Sequence, residues 1–351
     1  MVVASSPLTL YNLDQLNKVG TKGGQDVYLT SKVDITTNPP WLNGVAPDAN
    51  GKTNGATTCC IIVVDHGSGN VDAFYHYFYA FNWGGVVLGD QLGRTFHYSQ
   101  AVTPDNELTN TQVITWAIGI FRMPRKCRCI SYILCREHNM IRFSNGVPKY
   151  VWYSQHANGE AFEYHVLKKD KSGKRVSRWA SFKTATTPVS NLPLPSLPIP
   201  FLPILLLLFL LTRYPAKPLV YCANGSHANY ATPGVHDHTF PNLNLDFPFL
   251  LVDHTDEGPL WDPTLSAYYV SYDPTKKSFT PYDPATPIGW LNYVGRWGDQ
   301  QYPDKDKRQR QLAGNRKFVG GPTGPEDKQL NRKNVCPVDG QPCILRTHLG
   351  P

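Results

Sequence analysis

Histidines concentrate in one stretch of the chain, Asn224–His238, which reads N-G-S-H-A-N-Y-A-T-P-G-V-H-D-H. The stretch contains His227, His236 and His238 together with Asp237, and glycines and a proline interrupt it. Imidazole is the side chain best suited to transferring protons or binding a metal near neutral pH. Loops held by a rigid scaffold are where such groups usually lie. This stretch is therefore the best candidate site in the sequence, although it matches no general catalytic signature.

Polar residues at the ends of other predicted strands extend this candidate site, beginning with Glu137 and His138. If the strands that end at Glu137, His156 and His227 are neighbours, these groups converge at one rim of the fold. His156, His227 and a carboxylate would then suit zinc or a similar divalent ion, which takes three N/O ligands and leaves a water position open. Glu137 would act as the general base toward that water. This arrangement predicts a metal-dependent hydrolase.

Two further sets of residues are candidates for metal ligands. His236 and His238 share a face if their segment is a strand, so both are candidate ligands, although an H-D-H turn is as often solvated. A fourth polar segment is L-V-D-H-T-D-E, which contains Asp253 and His254. It would add carboxylates to the same rim.

Three other interpretations compete with a metal centre. A histidine could activate Ser226 or Ser154, but neither serine lies in a G-x-S-x-G elbow. The polar residues could instead form a buried network, because Asn, Ser, Gln and His bind backbone groups left open at turns. Ligand or glycan binding is the third, with a sugar platform built from some of the tryptophans. Core or rim packing is the prediction for these tryptophans, which are Trp83, Trp152, Trp261, Trp290 and Trp297.

The charge of the chain does not point to nucleic acid. The formal net charge is +7 over 351 residues, and charged residues make up 17%. The basic residues cluster at 122–128, 168–178 and 305–316, in segments with the composition of loops or of foreign sequence. A nucleic-acid surface needs a basic stripe interleaved with aromatic side chains. We find no such stripe, so solvated loops are the better interpretation and no nucleic-acid partner is expected.

The cysteines and the N-terminal sequence leave the compartment open. Eight cysteines are scattered without the spacing of a zinc module. Cys336 and Cys343 bracket a Pro/Asp/Gly turn, where they either form a disulfide or remain paired thiols. The first residues lack a basic region and a sustained apolar core, so no secretory signal peptide is predicted.

Short strands joined by turns are the predicted structure. The 30 prolines and 28 glycines interrupt nearly every segment, which disfavours long helices. The predicted fold is mainly β, a sandwich-like single domain with turn-rich loops and few short helices. The domain is predicted over residues 26–346, after an extension at 1–25 and before a tail at 347–351. The predicted strands are 26–29, 57–64, 71–83, 140–143, 150–153, 162–167, 249–252 and 267–272.

Two segments depart from this pattern. Residues 192–211 are about as long as a membrane span, but five prolines occupy the first dozen positions, so no transmembrane helix is predicted. Leu, Pro, Ser and Phe all have pyrimidine-only codons, and such tracts precede intron acceptors. We interpret about 176–217 as a translated intron. We interpret about 94–135 in the same way, with a variable insert as the alternative.

With both segments set aside, long blocks become comparable with a known family. They include F-N-W-G-G-V-V-L-G, M-I-R-F-S-N-G-V-P-K-Y-V-W-Y-S-Q-H-A-N-G-E, P-L-V-Y-C-A-N-G-S-H-A-N-Y-A-T-P-G, L-V-D-H-T-D-E-G-P-L-W-D-P-T and G-R-W-G-D-Q-Q-Y-P-D. In this order they resemble the fungal branch of the vacuolar protein sorting-associated protein 62 family. The resemblance covers about residues 26–346 apart from the two foreign segments.

The resemblance implies a role in targeting proteins to the vacuole, with vacuolar-sorting proteins as partners and a vacuolar or endomembrane location. It implies no established molecular mechanism. One departure concerns the predicted site. The family typically has a G-D-W-E-H block, whereas Glu137 and His138 here follow Cys135-Arg136. The strand that enters the site has therefore lost its leading residues.

Overall fold

The computed structural model describes the following residues of the chain. These are residues 28–29, 47–54, 57, 59–77, 86–87, 96–97, 138–156, 158–170, 217–223, 226–237, 251–255, 261–297, 300–307, 309, 311–312, 315–316, 323–338 and 342–349. Glu137, His238, the extension 1–25 and nearly all of both predicted foreign segments lie outside the described residues.

The described chain is mainly β, as predicted. Its strands are β1 Tyr28–Leu29, β2 Cys59–Gly67, β3 Asn70–Tyr77, β4 Val86–Val87, β5 Phe96–His97, β6 His138–Ser144, β7 Val147–Gln155, β8 Asn158–Glu163, β9 Tyr221–Cys222, β10 Asn229–Tyr230, β11 Gly234–Asp237, β12 Leu251–Thr255, β13 Ala267–Asp273, β14 Ser278–Pro281, β15 Arg296–Trp297, β16 Gln311–Leu312, β17 Asn315–Arg316 and β18 Leu345–Arg346. Within the described residues the helices are short 3-10 turns, at Tyr164–Val166, Pro263–Ser266, Gly289–Asn292 and Pro325–Lys328.

An eight-stranded mixed sheet organises the domain, in the order β14-β13-β2-β3-β6-β7-β8-β18. The five strands from β2 to β8 in this order pair antiparallel, whereas β13 joins β2 and β18 joins β8 in parallel. A second, four-stranded sheet has the order β11-β12-β4-β5. Three two-stranded pairs complete the fold: β1-β15, β10-β9 and β16-β17.

Both faces of the large sheet are buried, which explains the continuous apolar run in β2. Alternate side chains of a strand point to opposite faces. Cys60, Ile62 and Val64 accordingly pack on one face with Trp290 and Trp297 from the C-terminal third. The intervening residues of β2 pack on the other face with Tyr153 and Trp261. The aromatic residues of β3 likewise belong to the core, since Phe74, Tyr75 and Tyr77 are all buried.

Two tight turns fix the register of the antiparallel strands. Asn145 and Gly146 join β6 to β7 with φ values of 47° and 80°. Asn-Gly is the dipeptide that this two-residue turn favours, because both central residues need positive φ. Ser68 and Gly69 connect β2 to β3 with φ values of 53° and 77°.

Several predicted boundaries differ from the structure. The strand predicted at 162–167 is instead Asn158–Glu163, and the chain then turns into the 3-10 segment Tyr164–Val166. Short strands such as Gly234–Asp237 and Leu345–Arg346 were not predicted, because two to four residues are too few for a periodic pattern. Among the described residues, no helix is long and apolar enough to span a membrane.

Residues 168–170 and 217–219, which lie on either side of residues 171–216, pair with each other. Lys169 and Pro218 form an antiparallel bridge, flanked by hydrogen bonds from Asp170 N to Lys217 O at 3.0 Å and from Leu219 N to Lys168 O at 2.9 Å. Lys217, the last residue of the predicted segment, also donates from Nζ to Asp262 Oδ2 at 2.6 Å and to Thr264 Oγ1 at 2.8 Å. Lys217 therefore belongs to the folded domain.

Part of the first predicted foreign segment is also described. Residues Phe96–His97 form β5, which pairs antiparallel with Val86–Val87. At the other end of the chain, Leu349 in the predicted tail packs against the core face that contains Trp261. Strand pairing therefore reaches into the first predicted foreign segment, and core packing reaches into the predicted tail.

The C-terminal segment is closed by a disulfide. Cys336 and Cys343 are bonded, with their Cα atoms 5.4 Å apart, and this resolves the two alternatives that the sequence left open. Gln329 holds the same loop from the other side, because its side chain accepts from Val338 N at 2.7 Å and donates to Val338 O at 2.9 Å. The segment between Gln329 and Val338 is therefore fixed at both ends.

Candidate functional site

A buried carboxylate, that of Asp253, lies at the centre of the candidate site. Asp253 is on β12 and is 1% exposed. Its Oδ1 accepts from the Ser226 hydroxyl at 2.7 Å, and its Oδ2 accepts from the Tyr230 hydroxyl at 2.7 Å. His156 Nε2 lies 2.7 Å from the same Oδ2. A buried charge requires compensating donors of this kind, so these four side chains form one unit, the Asp253 cluster.

Each member of the Asp253 cluster comes from a different structural element. His156 begins the turn between β7 and β8, with φ at 55°. This left-handed backbone is uncommon for residues other than glycine, but histidine is one of the residues enriched there. Ser226 precedes β10, which contains Tyr230, and Asp253 is brought in by β12. The cluster thus joins the large sheet to the smaller one.

Neighbouring hydrogen bonds hold the end of β7 in place. Gln155 Nε2 donates to Asn229 O at 3.0 Å and to Glu160 Oε2 at 2.9 Å. Glu160 also forms an ion pair with Arg346 of β18 at 3.1 Å. His156, which follows Gln155, is consequently presented from a fixed strand end.

His236 lies beside the Asp253 cluster and stacks on Tyr230. The two ring centroids are 3.8 Å apart with an interplanar angle of 10°. His236 Nε2 is 2.8 Å from Thr255 Oγ1 and 3.1 Å from Thr232 O. Burial lowers the pKa of His236, while the negative charges of Asp253 and Glu160 act in the opposite direction. The ring orients Tyr230 toward Asp253 and ties β11 to β12.

The remaining predicted histidines occupy different environments. His227 is 4% exposed, and its φ is 64°. Burial holds the pKa of His227 well below its usual value, so the ring is neutral at physiological pH. His138 lies on β6 in the large sheet, where its ring stacks with His76 at a centroid distance of 5.4 Å. Glu137 and His238 lie outside the described residues.

No group of three or more His, Cys, Asp or Glu side chains positioned to hold a metal ion occurs within the described residues. The metal site formed by His156, His227, His236 and His238 therefore stays a prediction. What the structure does bring together is His156 with Asp253, and the side chain of His156 is 30% exposed.

The Asp253 cluster is not arranged as a serine relay. In such a relay the serine hydroxyl donates to a histidine, and the carboxylate holds the far side of that ring. Here the hydroxyl of Ser226 donates to Asp253, so its proton is already committed to the carboxylate. The arrangement holds three segments of the chain in place and orients the partly exposed imidazole of His156.

The tryptophans that the structure describes do not form an exposed platform. Trp152, Trp261, Trp290 and Trp297 are all buried, which confirms the prediction of core packing for these four. Trp83 lies outside the described residues. The stacking surface that the glycan interpretation requires is therefore not offered by the described tryptophans.

Sequence reasoning named Asp253 only as a supplementary residue and did not identify Tyr230, Thr232 or Thr255. A signal was available in the strand V-D-H-T, where Asp253 and Thr255 alternate with buried or half-buried neighbours. Alternation places both polar side chains on one face. Two inward-facing polar residues in one short strand indicate a buried network.

Comparison with known proteins gives two relatives, both from Saccharomyces cerevisiae. The chain is 32% identical over 314 residues to "Putative vacuolar protein sorting-associated protein TDA6", covering 89% of this chain and 53% of that protein. It is 29% identical over 319 residues to "Vacuolar protein sorting-associated protein 62", covering 90% of this chain and 53% of that protein. The chain therefore spans about half the length of the curated relatives it matches. No family model and no solved structure matches the chain.

Proposed function

The chain is related over 89% of its length to the vacuolar protein sorting-associated protein 62 family, and we propose on that basis that it acts in delivering proteins to the vacuole. The observation that carries this proposal is the extent of the alignment, which runs through the large sheet and the Asp253 cluster rather than through one isolated motif. Sorting proteins are its proposed partners, and a vacuolar or endomembrane location is its proposed site of action.

The proposed role of the Asp253 cluster is to shape a binding surface. Ser226, Tyr230 and His156 all donate to one buried carboxylate, which fixes the loops around them. Next to this cluster, β11 forms the edge of the four-stranded sheet, and its Val235 is 56% exposed. An exposed apolar residue on a sheet edge favours contact with another protein.

The test is complementation in S. cerevisiae lacking both relatives. Because the chain spans only about half of each relative, it is inserted in place of the aligned region of vacuolar protein sorting-associated protein 62. The fraction of a soluble vacuolar hydrolase that is secreted rather than retained is measured by pulse-chase labelling. Rescue by the chimera supports the proposal. A stable chimera that leaves secretion as in the deletion strain contradicts it.

A metal-dependent hydrolase is the second candidate, and the observation that favours it is the His156–Asp253 pair. Substitution of His156→Gln separates the two. Glutamine can still donate to Asp253 but cannot exchange protons like imidazole. A binding role predicts sorting by His156→Gln close to that of the unmodified chimera. A hydrolytic role predicts loss of sorting in a folded protein, together with zinc that is lost on His156→Ala or His227→Ala.

A further inference from the structure

A second polar site lies around the guanidinium of Arg332. It is on the face of the large sheet opposite to the face that contains Trp261. Arg332 is 3% exposed and packs on the face of the large sheet that contains Phe74. Its Cζ lies 4.9 Å from the centroid of the Phe74 ring and 5.8 Å from that of the Trp152 ring. Aromatic faces attract a guanidinium, but they do not accept its in-plane N–H bonds as a carboxylate or phosphate does.

Several nitrogen atoms of the guanidinium and of residues on the same face of the sheet have no hydrogen-bond partner in the described part of the chain. Nη2 of Arg332 lies 3.4 Å from His138 Nε2, whereas Nε and Nη1 have no acceptor in the described part of the chain. His76 Nε2 and Trp152 Nε1 are likewise buried without a partner there. The His76 ring lies 6.4 Å from the Phe74 ring between centroids. Trp152 lies two strands away from Phe74, beyond Met140, and Arg332 spans the gap by lying over both the Phe74 and the Trp152 rings. Buried polar groups are almost always satisfied in native proteins, so several such groups in one place require an explanation.

The nearby carboxylate does not supply the missing acceptor. Asp72 accepts from Arg142 Nε at 2.8 Å and from Arg142 Nη2 at 2.7 Å, and His66 Nε2 lies 2.9 Å from its Oδ2. Arg142 also donates to the carbonyls of Lys333 at 2.6 Å and Arg332 at 3.0 Å. Asp72 thus positions the Arg332 backbone through Arg142, while its own oxygens are occupied.

The net charge around the Arg332 guanidinium is therefore positive. Arg142 compensates Asp72, and the guanidinium of Arg332 remains uncompensated by any described carboxylate within hydrogen-bonding distance. Burial lowers the pKa of Arg332 to about 9, which still leaves it protonated at neutral pH. Lys328 adds a further positive charge near His76.

We propose that Arg332, His76 and Trp152 form a binding site for a small oxyanion, of the phosphate or carboxylate class. The oxygens of such a ligand are strong acceptors, and they match guanidinium, imidazole and indole N–H donors. His138 Nε2 can accept only from Nη2 of Arg332, and no described carboxylate lies within hydrogen-bonding distance of the guanidinium. The ligand must be small because Arg332 lies beneath the surface. Its neighbours in sequence reach the surface, since Lys328 is half-buried and Gln329 and Lys333 are exposed.

The test titrates the full chain with inorganic phosphate and, separately, with acetate, at constant ionic strength maintained by chloride. Calorimetry gives the dissociation constant, and thermal unfolding gives the shift of the midpoint. At least one of the two anions is expected to bind and raise the midpoint. Preference for phosphate or for acetate identifies the class of ligand, and either supports the site.

Substitution of Arg332→Met removes the charge and retains an apolar side chain of similar length. It is expected to weaken anion binding by a factor of about 10 to 100, because charge-assisted hydrogen bonds are lost. In chloride alone, its thermal midpoint should equal or exceed that of the unmodified protein, because an uncompensated buried charge is removed. Lys333→Met is the matched control, since this neighbouring side chain is exposed, and it should bind the anion normally.

Trp152→Phe provides an independent variant if Arg332→Met does not fold. It removes the indole N–H and keeps an aromatic ring on the core face, so it should weaken anion binding while the protein remains folded. The proposal is overturned if neither anion binds the unmodified protein. It is equally overturned if folded Arg332→Met or Trp152→Phe binds the anion as tightly as the Lys333→Met control.

Discussion

His156 Nε2 lies 2.7 Å from Asp253 Oδ2, although the two residues are 97 positions apart in the sequence. The pair joins the turn between β7 and β8 of the large sheet to β12 of the smaller sheet. Ser226 and Tyr230 bind the same carboxylate. The contact between the two sheets at this point is therefore polar and depends on one negative charge.

Removal of that charge should be strongly destabilising. Asp253→Ala leaves three donors without their acceptor, and we expect the free energy of unfolding to fall by about 3–5 kcal/mol. Urea unfolding followed by tryptophan fluorescence measures the change. The control is Asp283→Asn, an exposed aspartate whose Oδ1 accepts from Ala285 N at 2.9 Å, and its effect should be within about 0.5 kcal/mol. A loss below about 1 kcal/mol in Asp253→Ala would show that the cluster contributes little to stability.

Acid should destabilise the domain through its buried neutral histidines. Burial, with the positive charges of Lys328 and Arg332, lowers the pKa of His76 from 6.5 to about 3. The unfolded chain therefore takes up this proton at a higher pH than the folded chain. The stabilisation is complete above pH 6.5 and decreases as the pH falls from there toward 3.

The corresponding measurement is urea unfolding in chloride buffers between pH 7 and pH 4. The contribution of one such histidine decreases by about 1.4 kcal/mol per pH unit in this range. His76→Phe removes the titrating group and keeps a ring stacked between Phe74 and His138, so its stability should depend less steeply on pH. The remaining slope should reflect His227 and His236, whose pKa values are also lowered by burial. Equal slopes for both proteins would contradict the assignment of a neutral, buried His76.

Reduction of the disulfide should weaken the C-terminal segment. Cys336 and Cys343 close a loop with a sequence separation of 7, for which chain entropy gives about 2.5 kcal/mol. The double variant Cys336→Ser, Cys343→Ser should unfold at lower urea concentration and show no further response to reductant. An unmodified protein whose midpoint is the same before and after complete reduction, verified by thiol labelling, would show that the bond is not stabilising.

Residues 171–216 should be dispensable for folding. Lys168–Asp170 and Lys217–Leu219 already pair antiparallel, so an Asn-Gly turn can join Asp170 to Lys217. We expect a folded protein whose free energy of unfolding is unchanged or raised by up to about 2 kcal/mol, because a shorter loop is easier to close. Urea unfolding and circular dichroism measure this.

The matched deletion removes Lys217 as well. Lys217 bonds to Asp262 and Thr264, so this second deletion should be less stable than the first by about 1 kcal/mol or more. If the first deletion fails to fold, the segment belongs to the domain, and the interpretation of 176–217 as translated intron is wrong. If both deletions are equally stable, the Lys217 contacts do not contribute measurably to the free energy of unfolding.

The strands of the large sheet could be predicted because their patterns are local. The run C-C-I-I-V-V and the turn Asn145-Gly146 each specify their structure within a few residues. The Asp253 cluster could not be predicted in the same way. Its donors come from a strand end, a turn and a separate two-residue strand, and their meeting depends on how two sheets dock. His227 was predicted as a ligand from residue type alone, whereas burial is what determines its neutral state.

The burial of Arg332 could not be predicted from the sequence either. In the sequence it is one of many basic residues in a polar C-terminal region, and charge patterning indicates solvated loops there. Only the packing against Phe74 and Trp152 reveals that this particular side chain is buried. A pattern of charges along a chain does not distinguish an exposed arginine from one held inside the core.

The order of strands in the large sheet has a consequence for how the chain reaches its fold during synthesis. Strands β2, β3, β6, β7 and β8 lie side by side in the order of their synthesis, with only β4 and β5 of the second sheet intervening between β3 and β6, so antiparallel pairing can begin while translation continues. The strands at the two edges of the sheet are synthesised after this group: β13 and β14 form one edge and β18 forms the other. Both β13 and β18 join the sheet by parallel pairing. Parallel partners distant in sequence associate slowly. The border at β2 stays open until β13 has been synthesised, and the border at β8 stays open until Leu345–Arg346 follows. An open strand edge can pair with other chains, so the β8 border is exposed to aggregation for longest during synthesis.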